Sequence, residues 1–122
     1  MNRRQKIGKS GEAAAVRFLK KNGYKILEQN YRTQLGEIDI IAKDRQTIVF
    51  IEVKTRRSLE YGSPKRAVTP KKRRNISMTA LYYLKVNNQS HAEARFDVVT
   101  VFSRGGQIDI DIIKNAFELA YP

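Results

Sequence analysis

The sequence predicts a single α/β domain in which helices flank a central mixed sheet. Its patterns give a helix, three strands, a second helix and two further strands, and strands on both sides of a helix favour a mixed sheet. The chain has 122 residues, close to the usual size of one domain, with no internal repeat and no Pro-, Gly- or Ser-rich linker. We therefore expect residues 1–122 to form one folding unit.

The first predicted element is a helix over residues 8–22, which ends before a C-cap glycine, Gly23. Its apolar face consists of Ala14, Ala15, Phe18 and Leu19. On a helical wheel of about 3.6 residues per turn, Glu12 falls inside the edge of this face, between Val16 and Leu19. A carboxylate there is unusual, because this face should pack on the sheet.

Three strands rich in β-branched and aromatic side chains follow the first helix. They cover residues 24–31, 37–43 and 47–55. Gly36 separates the first two, and residues 43–46 are predicted to form the turn of a hairpin between the second and third. The third strand is the clearest, because Val49, Ile51 and Val53 alternate onto one face.

A loop over residues 59–69 leads to the second helix, for which Thr69 is the predicted N-cap and Pro70 the first helical residue. The buried stripe of this helix is Ile76, Ala80, Tyr83 and Leu84. Residues 94–102 and 107–113 then alternate as strands around a turn at residues 103–106.

The charge balance points to a polyanionic partner. There are 24 Lys and Arg against 12 Asp and Glu, a net charge of +12, and the pI is about 10.2, which favours nucleic acid. The apolar runs are too short to span a bilayer, so no membrane role is expected. Without cysteine there is no disulfide or thiolate metal site, and without a secretory signal we expect a cytoplasmic protein.

Acidic and basic side chains converge in the predicted hairpin. Glu52 and Lys54 share one face of the third strand. If the hairpin loop has an even number of residues, Glu37 and Asp39 lie on the same face as Glu52, and a loop of residues 44–47 would set Asp39 directly opposite it. Two such carboxylates suit Mg²⁺ or Mn²⁺, and a nearby ammonium can assist phosphodiester hydrolysis. Any one of these residues alone is more simply explained as part of a solvated strand face.

The motif GEIDIIA at residues 36–42 followed by FIEVKTR at residues 50–56 resembles the YraN family of uncharacterised bacterial proteins. The resemblance covers almost the whole chain, including Gly11-Glu12, the basic residues 71–74 and the strand RFDVV at residues 95–99. That family is in turn similar to the restriction-endonuclease-like PD-(D/E)xK nucleases, especially Holliday-junction resolvases. The implied fold is an αβββαβ core, here with an extra C-terminal strand.

The resemblance also implies roles for individual residues. Asp39 and Glu52 would be metal ligands for Mg²⁺ or Mn²⁺, assisted by the Val53 carbonyl. Lys54 would be the catalytic lysine, and Glu12 would be a further metal-site acid. The motif of these nucleases has a proline before its first aspartate, whereas here Ile38 precedes Asp39. This departure is common among the resolvases and removes no residue of the implied site.

Basic residues surround this predicted site and are expected to contact phosphates without reading base sequence. They are Arg56, Arg57, Lys65, Arg66, Lys71, Lys72, Arg73 and Arg74.

The sequence thus predicts a metal-dependent endonuclease that acts on DNA rather than RNA, on branched or structured substrates. A homodimer would match a two-fold symmetric substrate. The alternative is a non-catalytic DNA- or RNA-binding module that retains the nuclease fold.

Overall fold

The structure of the protein, a computed structural model, describes residues 3–56 and 68–120. The elements in chain order are α1 (Arg3–Lys21), β1 (Lys25–Thr33), β2 (Gly36–Asp44), β3 (Thr47–Arg56), α2 (Pro70–Val86), β4 (Ala94–Arg104) and β5 (Gln107–Ile113). This confirms the predicted α/β class and the order of elements. In the described part of the chain, neither helix is long and apolar enough to cross a bilayer.

The five strands form one mixed sheet in the order β1-β2-β3-β4-β5. The β3–β4 pair is parallel, and the other neighbours are antiparallel. Parallel neighbours need a crossover connection, and α2 lies between these two strands in the chain. The sheet is therefore a hairpin meander joined through a helical crossover to a second hairpin.

The two helices cover opposite faces of the sheet. On one face, α2 packs Ile76 and Tyr83 with Phe50 and Val98. On the other face, α1 packs Leu19 with residues that include Val49 and Ile51. Since neighbouring side chains of a strand point to opposite faces, the first part of β3 is buried on both sides.

Local sequence signals explain how both helices are bounded. The N–H of Tyr24 donates to the Leu19 carbonyl at 2.9 Å, and Gly23 has a φ of +89°, the left-handed conformation that a C-terminal glycine adopts without strain. At the start of α2, the Thr69 hydroxyl accepts the Lys72 N–H at 3.2 Å. The predicted start of α1 at Gly8 is wrong, because the helix begins at Arg3 and a single glycine weakens a helix without ending it.

Candidate active site

Asp39 lies where the β2–β3 ladder ends. The ladder runs from Asp44 opposite Thr47 to Ile40 opposite Ile51, in the register of a loop over residues 44–47, but it stops before the predicted pairing of Asp39 opposite Glu52. Ile38 packs on the α2 side of the sheet but Ile40 packs on the α1 side, so the alternation of β2 is interrupted at Asp39. The Asp39 Oδ2 accepts the N–H of Val53 at 2.8 Å. Its carboxylate is thus held against the backbone of β3, one residue past Glu52.

Glu52 is the most buried acidic group of the predicted site, with 5 % of the residue exposed. Its Oε1 lies 3.6 Å from the Nζ of Lys54 on the same strand. The same oxygen forms an ion pair with the Nζ of Lys72 from the first turn of α2. A buried carboxylate is costly without such partners, so Glu52 joins β3 to the start of α2.

The electrostatics around Asp39 favour an added cation. Burial and then the nearby charge of Glu52 raise the pKa of Asp39 to about 7, although the hydrogen bond from the Val53 N–H acts in the opposite direction. Glu12 also raises it, while Lys72 lowers it. Without a bound cation, the protein therefore does not fully neutralise the negative charges of Asp39 and Glu52.

The two lysines of the site respond differently to the same surroundings. Burial lowers the pKa of Lys54, and the attraction of Glu52 only partly offsets this effect. Burial alone would also lower the pKa of Lys72, but its hydrogen bond and attraction to Glu52 outweigh burial and raise it. Lys72 is thus the firmer counter-ion of Glu52, and Lys54 is the ammonium whose proton is held less tightly.

Glu12 comes to the same end of the sheet from α1. Helix and strand approach so closely here that a Cβ on Gly11 would collide with the Thr55 Oγ1, so the absence of a side chain at Gly11 brings Glu12 toward β3. Burial, followed by the charges of Glu37 and Glu52, raises the pKa of Glu12. Glu37 itself is exposed and forms an ion pair of 3.2 Å with Arg32.

The donors of this site fit a hard divalent cation. Within residues 3–56 and 68–120, no group of three or more His, Cys, Asp or Glu side chains is arranged to hold a metal ion. Mg²⁺ does not need such a group, because it commonly binds through one or two carboxylates together with waters and substrate phosphate oxygens. Asp39 and Glu52 supply this number of carboxylates, and burial together with the charge of Glu52 raises the pKa of Asp39, so a cation there would favour its charged form.

The predicted phosphate-binding residues have different surroundings. Lys71 and Arg74 are exposed on the first turns of α2. Arg73 donates from Nε to the Val68 carbonyl at 2.9 Å and lies 5.6 Å from the centre of the Phe117 ring, so part of its role is to anchor the start of α2. Arg56 is the last residue of β3 and is half-buried. Arg57, Lys65 and Arg66 lie outside the described residues.

A second buried charge cluster escaped the sequence analysis. The guanidinium of Arg95 donates from Nε to both oxygens of Asp97, which is fully buried, and from its Nη2 to Asp44 and the Tyr24 hydroxyl. Asp44 is the last residue of β2 and Asp39 lies five residues before it, about 16 Å away along the strand. The available signal was an acidic residue inside the apolar run of β4. Since the Asp97 Oδ1 also accepts the Asn115 N–H at 3.1 Å, we regard the cluster as structural.

Comparisons with known proteins identify close relatives. The model of the family described as "Uncharacterised protein family UPF0102" matches residues 11–101. A "UPF0102 protein" from Desulfosudis oleivorans is 53% identical over 118 residues, which cover 97% of this chain and 94% of the relative. Another from Caldicellulosiruptor saccharolyticus is 50% identical over 119 residues, or 96% of this chain and 100% of the relative.

The structural comparison gives a much weaker likeness. A structure titled "Crystal structure of SSO0001" aligns with 91% of this chain at 17% sequence identity and a TM-score of 0.36. This chain spans about half, 51%, of the length of that protein. A likeness this distant supports no conclusion about fold or function.

Proposed function

Given that this chain belongs to the uncharacterised protein family UPF0102, we propose that it is a metal-dependent endonuclease that hydrolyses phosphodiester bonds in branched or structured DNA. The membership confirms the resemblance to the YraN proteins. One observation carries the proposal: buried Glu52 and half-buried Asp39 lie at the end of the β2–β3 ladder beside Lys54, and their mutual repulsion contributes to a pKa of about 7 for Asp39. Such perturbed groups cluster at functional sites.

We assign metal binding to Asp39 and Glu52, with the Val53 carbonyl and Glu12 as supporting groups. When bound, a Mg²⁺ or Mn²⁺ ion would activate a water molecule and neutralise negative charge on the phosphate. The Val53 N–H orients the Asp39 carboxylate, and Glu52 is held by its lysine partners. The ligand oxygens are thus oriented in advance, which reduces the cost of ordering them when the ion binds.

Lys54 is the proposed catalytic cation. Its Nζ is 3.6 Å from Glu52, so it adjoins the carboxylates without being fully neutralised by them. In a site with little water, an ammonium placed this way stabilises the charge that develops on the phosphoryl oxygens. Because burial lowers its pKa, it can also exchange a proton with the attacking water or the leaving oxygen more readily than an exposed lysine.

The charge of the molecule supports a nucleic acid such as DNA as the substrate. The net charge is +12, and Lys71 and Arg74 are exposed on the helix that carries Lys72 to Glu52. Phosphate contacts from these residues would bring the backbone to the acidic site, where no base needs to be read. This supports recognition by the shape of the nucleic acid rather than by its sequence.

A second candidate function is a non-catalytic nucleic-acid-binding module. The observation that favours it is the ion pair between Lys72 and Glu52, which gives the buried carboxylate a counter-ion without any metal. In such a module Asp39, Glu52 and Lys54 would serve metal or phosphate docking without any catalytic step. Removing a carboxylate would then leave DNA affinity unchanged or increase it, since a negative charge near the phosphates is lost.

Cleavage of labelled DNA separates the two candidates. Four-way junction, flap, single-stranded and linear duplex DNA are incubated with Mg²⁺ or Mn²⁺ and the wild-type protein, Asp39→Ala or Lys54→Ala. We expect cleavage by wild type, no detectable product with Asp39→Ala, and a rate reduced on the order of 100-fold with Lys54→Ala. Exposed residues of the same types, as Asp109→Ala and Lys85→Ala, are the matched controls and should cut normally.

Tight binding that does not depend on metal, with no cut product from any of the four DNAs, would refute the nuclease proposal and favour the binding module. Cleavage that persists unchanged in Asp39→Ala would place the activity elsewhere or in a contaminant. The ranking of the four substrates decides whether the protein acts on branched DNA.

A further inference from the structure

Lys72 reaches the acidic site from a separate element whose start is fixed. Thr69 caps α2 by accepting the backbone N–H of Lys72 itself, at 3.2 Å, and Pro70 opens the helix. The backbone of Lys72 is therefore fixed within the first turn of α2, and the side chain is the part that can move. That side chain extends to the Oε1 of Glu52.

The Lys72 ammonium and a bound metal ion would compete for the same carboxylate, that of Glu52. Glu52 is buried, and its Oε1 already faces two ammonium groups, those of Lys54 and Lys72. A divalent cation at Asp39 and Glu52 adds a third positive centre, and like charges at such short range repel strongly where water is scarce. Lys54 is fixed on the same strand two residues away, whereas the Lys72 side chain is 41 % exposed and its flexible four-carbon stem can swing toward solvent.

We propose that Lys72 is an exchangeable counter-ion: it neutralises Glu52 in the metal-free protein, leaves this carboxylate when a divalent cation binds, and then pairs with a phosphate of the nucleic acid. This inference rests on the proposed function. It changes the predicted role of Lys72 from a simple phosphate contact to a link between two binding events. Exposed Lys71 and Arg74 on the same helix start mark the surface where that phosphate would lie.

The exchange couples metal binding to nucleic-acid binding. Without DNA, the ion must displace an ammonium from Glu52. With DNA, the displaced ammonium gains a phosphate partner, so the displacement costs less free energy. Each ligand therefore increases the affinity for the other by the same factor, and this coupling depends on residue 72.

Calorimetric titration of Mn²⁺ into the DNA-free protein tests the exchange without any reaction. Lys72→Met removes the competing ammonium, and Lys71→Met removes the same charge from the exposed neighbouring position. We expect Lys72→Met to bind Mn²⁺ about tenfold more tightly than wild type, a change of about 1.4 kcal/mol, and Lys71→Met to stay within about twofold. Lys72→Arg restores a cation at Glu52 and should return the affinity toward that of wild type.

Equal affinities of Lys72→Met and Lys71→Met, or weaker binding by Lys72→Met, would overturn the inference and leave the proposed nuclease function standing. If none of the four proteins binds Mn²⁺, both the inference and the metal-dependent function fail. Circular dichroism of each variant at the titration temperature verifies that the compared proteins are folded, and Lys72→Gln, which also removes the ammonium, replaces Lys72→Met if Lys72→Met is unfolded.

Fluorescence anisotropy with a labelled four-way junction tests the coupling. Affinity is measured in EDTA and in Mn²⁺, and a denaturing gel verifies that the DNA is intact at the time of reading. Mn²⁺ should raise the junction affinity of wild type and Lys71→Met severalfold more than that of Lys72→Met. An equal Mn²⁺-dependent gain in all three proteins would rule out Lys72 as the link.

Discussion

At the residue scale, the environment of Asp39 sets the chemistry of the site. An aspartate pKa is ordinarily near 3.8, and burial together with Glu52 raises that of Asp39 to about 7. Without a metal ion, the folded protein therefore keeps a proton on Asp39 that the unfolded chain has already lost at lower pH. A bound cation would remove this penalty, so the same carboxylate that weakens the metal-free fold strengthens metal binding.

This linkage predicts a pH dependence of stability. Between pH 3.8 and about 7, the folded state binds more protons at Asp39 than the unfolded state does, so the contribution of Asp39 to stability falls as pH rises through this window. Asp39→Asn removes the titration while its side-chain oxygen can still accept the Val53 N–H. In EDTA, we expect the melting temperature of Asp39→Asn to match that of wild type near pH 4 and to exceed it increasingly up to pH 8.

Thermal unfolding followed by circular dichroism at several pH values measures this difference, with Asp109→Asn as the exposed control. A melting-temperature difference that does not change with pH would contradict the raised pKa of Asp39. Saturating Mn²⁺ at pH 8 should reverse the order, because it stabilises wild type and not the variant.

At the element scale, the contact between α1 and β3 positions Glu12. Gly11 faces Thr55 where the helix crosses the strand, and a Cβ there would overlap the threonine hydroxyl. Overpacking of this kind forces side chains or backbone to shift. Any such shift would move Glu12 away from the carboxylates of β2 and β3.

We therefore expect Gly11→Ala to destabilise the protein by about 1–3 kcal/mol, although alanine has the better helix propensity. Thr55→Ala removes the hydroxyl and methyl groups that the Cβ introduced by Gly11→Ala would contact. The double variant should therefore recover most of the lost stability. Urea denaturation of the wild type, both single variants and the double variant gives the coupling energy. Additive effects in this cycle would show that the two residues do not limit the approach of α1 to β3.

At the scale of the whole molecule, positive charge surrounds a small acidic centre. The net charge of +12 draws a nucleic-acid backbone to the protein, while the acidic site needs a cation before a phosphate can come close. Phosphate contacts release counter-ions, so affinity should fall steeply with salt. The exposed start of α2 is the described surface best placed for these contacts.

The salt dependence of duplex binding tests that surface. With about four phosphate contacts, affinity should fall roughly 100-fold between about 50 mM and 200 mM salt. The double variant Lys71→Met, Arg74→Met should reduce the slope of log affinity against log salt by about 2. Lys85→Met, at the other end of α2, should leave the slope unchanged, and a slope that is equal in all three proteins would place the DNA elsewhere.

Much of this arrangement could be predicted from the sequence, because it depends on local signals. The alternation of apolar residues predicted β3, and Thr69 predicted the start of α2. The length of the hairpin loop predicted the β2–β3 register up to the residue next to Asp39. The contact of Lys72 with Glu52 could not be predicted, since it depends on how α2 packs against the sheet. The cluster of Arg95, Asp97 and Asp44 was missed for a related reason, because Asp44 is distant in sequence from the other two residues.

The central claim is that Asp39 and Glu52 form the metal centre of a nuclease. Its most direct test is the single-turnover rate at which the protein cuts a four-way junction in Mg²⁺, measured for wild type, Asp39→Ala and the exposed control Asp109→Ala. The account predicts cutting by wild type and the control, and a loss on the order of 100-fold or more in Asp39→Ala. Cutting by all three at one rate, or by none while the DNA stays bound, would contradict it.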